Sequence, residues 1–253
     1  MKINYSGYTH RGNAKPNNED NFFLNGYIKE EKRGMLLLSG KCQGEAVFAV
    51  CDGIGGEAAG EKAAFLSVSY LKRAVYEEKL KLTGAYINEM NTWLCKQQEL
   101  MKISKMGSTL VLVKLYGNKM EFANLGDSRL YLMRKNRLIR LSEDHTEYEY
   151  LRQFRALPKN PAALEHSKHT LLQHLGIDSE EMMLEPQTGK MELWTGDKLL
   201  LCSDGISDML EEERIQAILQ SHASTERACI SLVDRAMECG KTDNLTAVVL
   251  SVR

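Results

Sequence analysis

At 253 residues, with 43% hydrophobic and 26% charged side chains, the chain has the length and composition of one ordinary globular domain. Thirty-three basic side chains against 34 acidic ones leave a net charge of −1, and with no polybasic run the composition speaks against nucleic acid as a partner. No apolar run approaches the roughly 18 residues that a membrane helix needs, the first residues lack the apolar core of a signal peptide, and the six cysteines are scattered without CxxC pairs, so a reduced, cytoplasmic, monomeric protein with no membrane contact is expected.

In chain order, loose alternation predicts strands over 1–8 and 21–27, on either side of an Asn-Asn-Glu-Asp turn at 17–20. Residues 34–40 and 46–51 read as two strands of a hairpin closed through 41–45. A Gly-rich turn follows. Apolar residues at Ala64, Leu66, Val68, Leu71 and Val75 then predict a helix over 61–79, and Ile87, Met90, Trp93, Leu94, Leu100 and Met101 a second over 85–103. Strand signals come in close succession at 109–116, 120–125, 129–134 and 138–141, with tight-turn pairs at Gly117-Asn118 and Lys135-Asn136. Residues 143–186 break this rhythm: they are polar and hold three of the four prolines and four of the six histidines, and so long an irregular stretch is usually functional. Core sequence resumes over 192–201, helices are expected over 211–220 and 225–238, and a last strand over 245–252. Strands on both sides of a helical block suggest two sheets with helices outside, an α+β layered sandwich.

Five aspartates sit at the ends of apolar runs: Asp20, Asp52, Asp127, Asp204 and Asp243. Each alone reads as a turn residue or helix cap, as Asp-Gly often is. Together they place carboxylates at strand ends, where several can converge. Carboxylates buried close together repel, and a hard divalent cation such as Mg²⁺ or Mn²⁺ is the usual remedy.

The blocks NNED (17–20), DGIGGEAAGE (52–61), MGSTL (106–110), GDSRLY (126–131), SEDHT (142–146), CSDGISD (202–208) and KTDNLTAVV (241–249) occur in an order that resembles the type 2C metal-dependent serine/threonine protein phosphatases over essentially the whole chain. The resemblance implies a single catalytic domain over 1–253 with a four-layer αββα sandwich, two central antiparallel sheets flanked by helices, and a flap over roughly 147–185 beside the active site. It implies hydrolysis of phosphoserine and phosphothreonine in proteins by a metal-activated water, with no protein nucleophile. Two core Mn²⁺ or Mg²⁺ ions are implied, with a third, weaker one. Asp52 would bridge the core pair, the Gly53 carbonyl would ligate one ion, and Asp204 and Asp243 would complete the second site. Asp20, with Glu19 beside it, would hold metal-bound waters; Asp127 with Asp204 would form the third site. Gly53, Gly55 and Gly56 would let backbone pass close to the ions, and Gly60 would aid helix packing.

The sequence departs from the family where an arginine that grips phosphate is expected: Lys15 stands there, with Arg11 four residues earlier as the alternative phosphate contact. Lysine offers a point charge where arginine offers a two-pronged fork. Ile54 occupies the place of a histidine that some relatives carry after the first Asp-Gly, and Asn244, next to Asp243, is a further catalytic candidate. His166, His169 and His174 lack zinc-site spacing and read as a solvated surface, and His145 reads as the end of a strand. The partners expected are phosphorylated proteins and a kinase acting on the same substrates. A catalytically silent relative that senses phosphoproteins is the rival reading, with Lys15 in its favour and the retained Asp52, Asp204 and Asp243 against it.

Overall fold

A computed structural model describes residues 1–55, 59–103 and 105–253. The strands are β1 (Lys2–His10), β2 (Asn21–Leu24), β3 (Tyr27–Ile28), β4 (Met35–Gln43), β5 (Ala46–Cys51), β6 (Gly53–Ile54), β7 (Gly107–Ser108), β8 (Leu110–Tyr116), β9 (Lys119–Leu125), β10 (Arg129–Arg134), β11 (Arg137–Arg140), β12 (Gln187–Glu192), β13 (Lys198–Cys202) and β14 (Leu245–Val252). The helices are α1 (Ala59–Tyr76), α2 (Gly84–Met101), α3 (Glu147–Gln153), α4 (Pro161–His169), α5 (Asp204–Ser207), α6 (Glu212–Ser221) and α7 (Thr225–Glu238).

Two six-stranded sheets carry the structure, one ordered β11-β10-β13-β14-β1-β4 and the other β12-β9-β8-β5-β2-β3, with β6 and β7 forming a small ribbon. The pairings in both are antiparallel. Successive side chains point to opposite faces of a strand, and the central strands therefore feed two cores at once. Phe48 and Val50 of β5, with Leu199 and Leu201 of β13 and Val248 and Leu250 of β14, fill the space between the sheets. Val47, Ala49 and Cys51 pack outward with Val68 and Leu71 of α1 and Ile87, Met90 and Leu94 of α2. On the other outer face, Leu200, Cys202, Ala247 and Val249 meet Ile215 and Leu219 of α6 and Leu232 and Val233 of α7. This is the four-layer αββα arrangement expected, and it explains why β5 and β14 are buried along their whole length.

The structure corrects the expected hairpin of 34–40 with 46–51. β4 pairs with β1 in the first sheet, and β5 pairs with β2 and β8 in the second. Burial decides this. Every residue of β5 is buried, because both its faces are covered, whereas β4 shows an alternately exposed pattern suited to a sheet edge. Gly44, at φ +93°, turns the chain from one sheet to the other. The strand β12 was not anticipated. Its sequence, QTGKME, alternates half-buried and exposed positions at an edge, and so lacks the apolar run of a central strand. The stretch 143–186 holds the two short helices α3 and α4, whose start is fixed in one case by Asn160, with its side chain accepting from the Ala162 and Ala163 amides, and Pro161.

Phe48 is fully buried and lies against Tyr5 across the intersheet core, ring centroids 5.2 Å apart. Phe48→Ala is expected to lower unfolding free energy by about 3–5 kcal/mol, read as a reduced midpoint in urea with an unchanged slope.

Candidate active site

Strand register brings the five aspartates to one end of the sandwich. Asn21 pairs with Cys51, so Asp20 before β2 and Asp52 after β5 emerge together. Leu110 pairs with Leu125, which puts Asp127 at the same end, and Cys202 pairs with Ala247, which does the same for Asp204 and Asp243. The carboxylates therefore come from both sheets.

Asp20 is fully buried. Its Oδ2 accepts from the Ser203 hydroxyl at 2.7 Å and the Thr246 hydroxyl at 2.6 Å. The Thr246 hydroxyl is also bonded to that of Thr9, which accepts from Asn18 Nδ2 at 2.8 Å. Among the described residues Oδ1 has no hydrogen-bond partner. Thr109 holds the Asp52 backbone from both sides: its hydroxyl accepts the Asp52 amide at 2.9 Å, and its amide donates to the Asp52 carbonyl at 2.8 Å. The Ser128 hydroxyl stands behind it at 2.7 Å. Next to Asp52, β6 lies against β7, and a Cβ on Gly53 would sit 2.0 Å from the Gly60 carbonyl oxygen. No side chain fits there, so the close approach of this loop to the start of α1 requires glycine. Gly56 lies outside the described residues.

His145 ends no strand. Its Nδ1 accepts the Gly126 amide at 3.1 Å and its own amide donates to the Gly126 carbonyl at 3.0 Å, bracing the turn that carries Asp127. Asp144 beside it is held by Arg129 through Nη2 at 2.8 Å and by Arg140. Under the NNED turn, the fully buried Lys29 donates from Nζ to the Asn18 carbonyl at 3.0 Å and lies 4.0 Å from Glu61.

The cluster is electrostatically unbalanced. Burial first, then the proximity of Asp20, Asp204 and Asp127, pushes the Asp52 carboxyl well above the usual carboxylate range. Burial and Asp204, Asp144 and Asp208 do the same to Asp127, and burial and Asp243 push the Asp204 carboxyl upward. Asp20 is pushed up to about 7 by burial, against the opposing effect of its two hydroxyl donors. Among the described residues no three His, Cys, Asp or Glu side chains form a ready-made metal cage. The donor set nonetheless fits a hard divalent ion that keeps several waters and takes few protein oxygens. An orphaned buried carboxylate oxygen and mutual repulsion among aspartates are both relieved by added positive charge. Lys15 supplies part of it: its Nζ stands 3.1 Å from Asp243 Oδ2 and 3.7 Å from Glu19 Oε2.

Of the two phosphate-contact candidates, Lys15 is thus at the cluster, while the Arg11 side chain turns aside to the Pro16 carbonyl, with Nη1 at 3.3 Å. Asn244 is buried and braces backbone: Nδ2 donates to the carbonyls of Arg11 and Asn17, each at 2.8 Å, and Oδ1 accepts the Glu19 amide at 2.7 Å. Sequence reasoning gave no role to Thr9, Thr109, Ser203, Thr246 or Asp208. Asp208 is pushed up to about 6 by burial and Asp204, and His169 at the end of α4 lies 3.4 Å from its Oδ2. His166 is exposed, and His174 lies apart at the Leu175 carbonyl. Ser203 directly before Asp204 in CSDG and Thr246 close after Asp243 in DNLT were the available signal.

Residues 36–245 match the family model of protein phosphatase 2C. The chain belongs to that family. A serine/threonine phosphatase stp of Listeria welshimeri is 32% identical over 96% of this chain and 93% of its own length. The serine/threonine protein phosphatase PstP of Mycobacterium tuberculosis is 30% identical over the whole of this chain, which spans 45% of that relative. Among solved structures, the catalytic domain of PstP in complex with 2 manganese ions superposes with a TM-score of 0.78 at 27% identity, with both chains covered in full. The Streptococcus agalactiae serine/threonine phosphatase gives 0.81 at 25% identity, over 99% of this chain and 100% of that one.

The 2C-type cluster makes a sign-definite prediction for protein kept in chelator. A carboxyl raised from 3.8 in the unfolded chain to about 7 when folded binds its proton more tightly in the native state, so its contribution to stability is present at low pH and is lost as pH rises through 7. Melting temperature in EDTA should therefore fall between pH 5 and pH 8 on the order of what a few kcal/mol produces. Asp20→Asn keeps an acceptor oxygen for Ser203 and Thr246 and should flatten that fall.

Proposed function

We infer that the chain hydrolyses phosphoserine and phosphothreonine in proteins with the help of divalent metal ions. The observation that carries this is the convergence of Asp20, Asp52, Asp127, Asp204 and Asp243, from both sheets, in a chain of the protein phosphatase 2C family. Asp52 would be shared by two ions, with the Gly53 carbonyl serving one and Asp204 and Asp243 the other. Asp127 with Asp204 would hold a third ion. When bound, such ions neutralise phosphate charge and lower the pKa of water towards neutrality. Mn²⁺ is the ion we favour, because the PstP relative is described in complex with 2 manganese ions, and Mg²⁺ is its alternative.

The protein's own part is positioning. Ser203 and Thr246 fix one oxygen of Asp20, while the other, without a partner among the described residues, would take a metal-bound water. Thr109, backed by the Ser128 hydroxyl, holds Asp52 by its backbone, and Asn244 ties Glu19 and Asp243 to the loop before them. We assign Asn244 to positioning rather than to catalysis, since both its amide protons already go to backbone carbonyls. We assign the phosphate contact to Lys15, which stands with Asp243 and Glu19, over Arg11. Residues 147–185 we read as the flap, a reading supported by the His169–Asp208 approach. We take 1–253 as one catalytic domain, acting as a monomer in the cytoplasm opposite a serine/threonine kinase; among the described residues no helix is long and apolar enough to cross a membrane.

Hydrolysis of a phosphothreonine peptide should vanish in EDTA and return with Mn²⁺ or Mg²⁺; full turnover in chelator would refute the metal-dependent mechanism. Asp52→Asn should cost more than any other single ligand change, because it removes charge shared by two ions.

Lys15→Ala should lower kcat/KM on the order of ten- to a hundredfold, since losing a hydrogen bond to a charged group costs about 1.5–3 kcal/mol. Lys15→Arg should restore activity. If Arg11→Ala is the damaging change in this assay and Lys15→Ala is silent, the assignment is reversed.

A further inference from the structure

The Asn17–Asp20 turn has two sides. One bears the carboxylate cluster. The other forms the wall of a cavity of about 550 Å³ that His10, Arg11, Lys32, Met35 and Glu61 line together with Asn17. Asn18 Nδ2 donates to the Gly34 carbonyl at 3.0 Å and so fixes the segment that carries Lys32 against this turn.

The cations around this cavity divide into two kinds. Lys15 is engaged by Asp243 and Glu19, and Lys29 by buried carbonyls and Glu61. Among the described residues the other two have no carboxylate within ion-pair distance. Arg11 spends one N–H on the Pro16 carbonyl, which leaves the remainder of its five donors available. Among the described residues neither Arg11 nor Lys32 forms an ion pair; Glu61, the acidic residue of the lining, has Lys29 4.0 Å away and feels the Lys32 charge only from beyond ion-pair distance. His10 accepts the Gly12 amide at Nδ1, at 3.0 Å, so the ring proton sits on Nε2 as one more donor. A cavity that presents donors and positive charge, on a turn shared with a phosphate-handling centre, complements a negative group on the same substrate.

We infer that this cavity receives an acidic residue of the phosphoprotein, within a few positions of the phosphorylated one, and gives the enzyme a preference for acidic phosphosites. The inference rests on the phosphatase reading above. It separates the work of three neighbouring cations: Lys15 meets the scissile phosphate, and Arg11 with Lys32 reads the charge beside it. An extended peptide advances about 3.3–3.6 Å per residue, so a residue close in sequence to the phosphothreonine reaches a cavity that begins at Pro16, directly after Lys15.

The test uses the full chain with Mn²⁺ and three phosphothreonine peptides of equal length, flanked on both sides by glutamate, alanine or lysine, with p-nitrophenyl phosphate as a substrate lacking any flanking residue. The glutamate peptide should exceed the lysine peptide in kcat/KM by about three- to tenfold, the scale of partly exposed ion pairs, and the ratio should shrink as salt is raised. Lys32 is exposed, so its replacement should leave the fold intact. Lys32→Ala should weaken the preference and Lys32→Glu should reverse it, with p-nitrophenyl phosphate hydrolysis unchanged in both; Arg11→Ala should weaken it as well. Equal kcat/KM for the three peptides, or a preference that survives both Lys32→Glu and Arg11→Ala, overturns the inference while p-nitrophenyl phosphate turnover stands. Loss of p-nitrophenyl phosphate turnover in the parent protein would instead overturn the phosphatase reading.

Discussion

One carboxylate oxygen joins the two halves of this protein. Asp20 enters the second sheet at the start of β2, yet its Oδ2 is held by hydroxyls from Ser203, after β13, and Thr246, in β14, both on the first sheet. Asn244 repeats the connection one step away, accepting the Glu19 amide while it donates to the carbonyls of Arg11 and Asn17. These bonds fix how the sheets meet at the end where the aspartates emerge. A shift of even one residue in β2 would turn Asp20 to the opposite face and strand its buried charge.

Such a centre stores electrostatic energy. Asp52, Asp127 and Asp204 are each pushed upward by burial and by their neighbours. Buried like charges disfavour ionisation of one another, and the cation that relieves them is the same one that a phosphate monoester needs to approach. The cost of assembling the cluster is offset elsewhere, by cores on three levels that bury β5, β13 and β14 on both faces. Function is thereby placed where the fold is least comfortable, at the polar rim of a tightly packed sandwich.

The cations are arranged with similar economy. Lys29 is fully buried and serves the NNED turn; Arg129 and Arg140 serve Asp144, whose neighbour His145 holds the Asp127 turn. Lys15 faces the cluster, and Arg11 and Lys32 face the adjoining cavity. Similar charges thus do three different things, and only their partners distinguish them.

The sequence by itself determined the parts whose signal is local. Apolar runs and helical spacing marked β5, β8 to β10, β13, β14 and the helices α1, α2, α6 and α7, because each buries a face or a stripe that repeats along the chain. The motif order marked the five aspartates and the family. Tertiary structure alone decided which strands pair. Residues 34–40 and 46–51 look like a hairpin by proximity, but burial on both faces of β5 sends them to different sheets. It also decided which polar residues matter. Thr9, Thr109, Ser203 and Thr246 are ordinary small hydroxyls in sequence, and they become the frame of the site only because strands distant along the chain end at one place. Lys15 and Arg11 could not be ranked by spacing, since the direction of a flexible cation depends on the charges it meets in space. Local pattern follows from what each residue buries; pairing, partners and roles follow from what lies across from it.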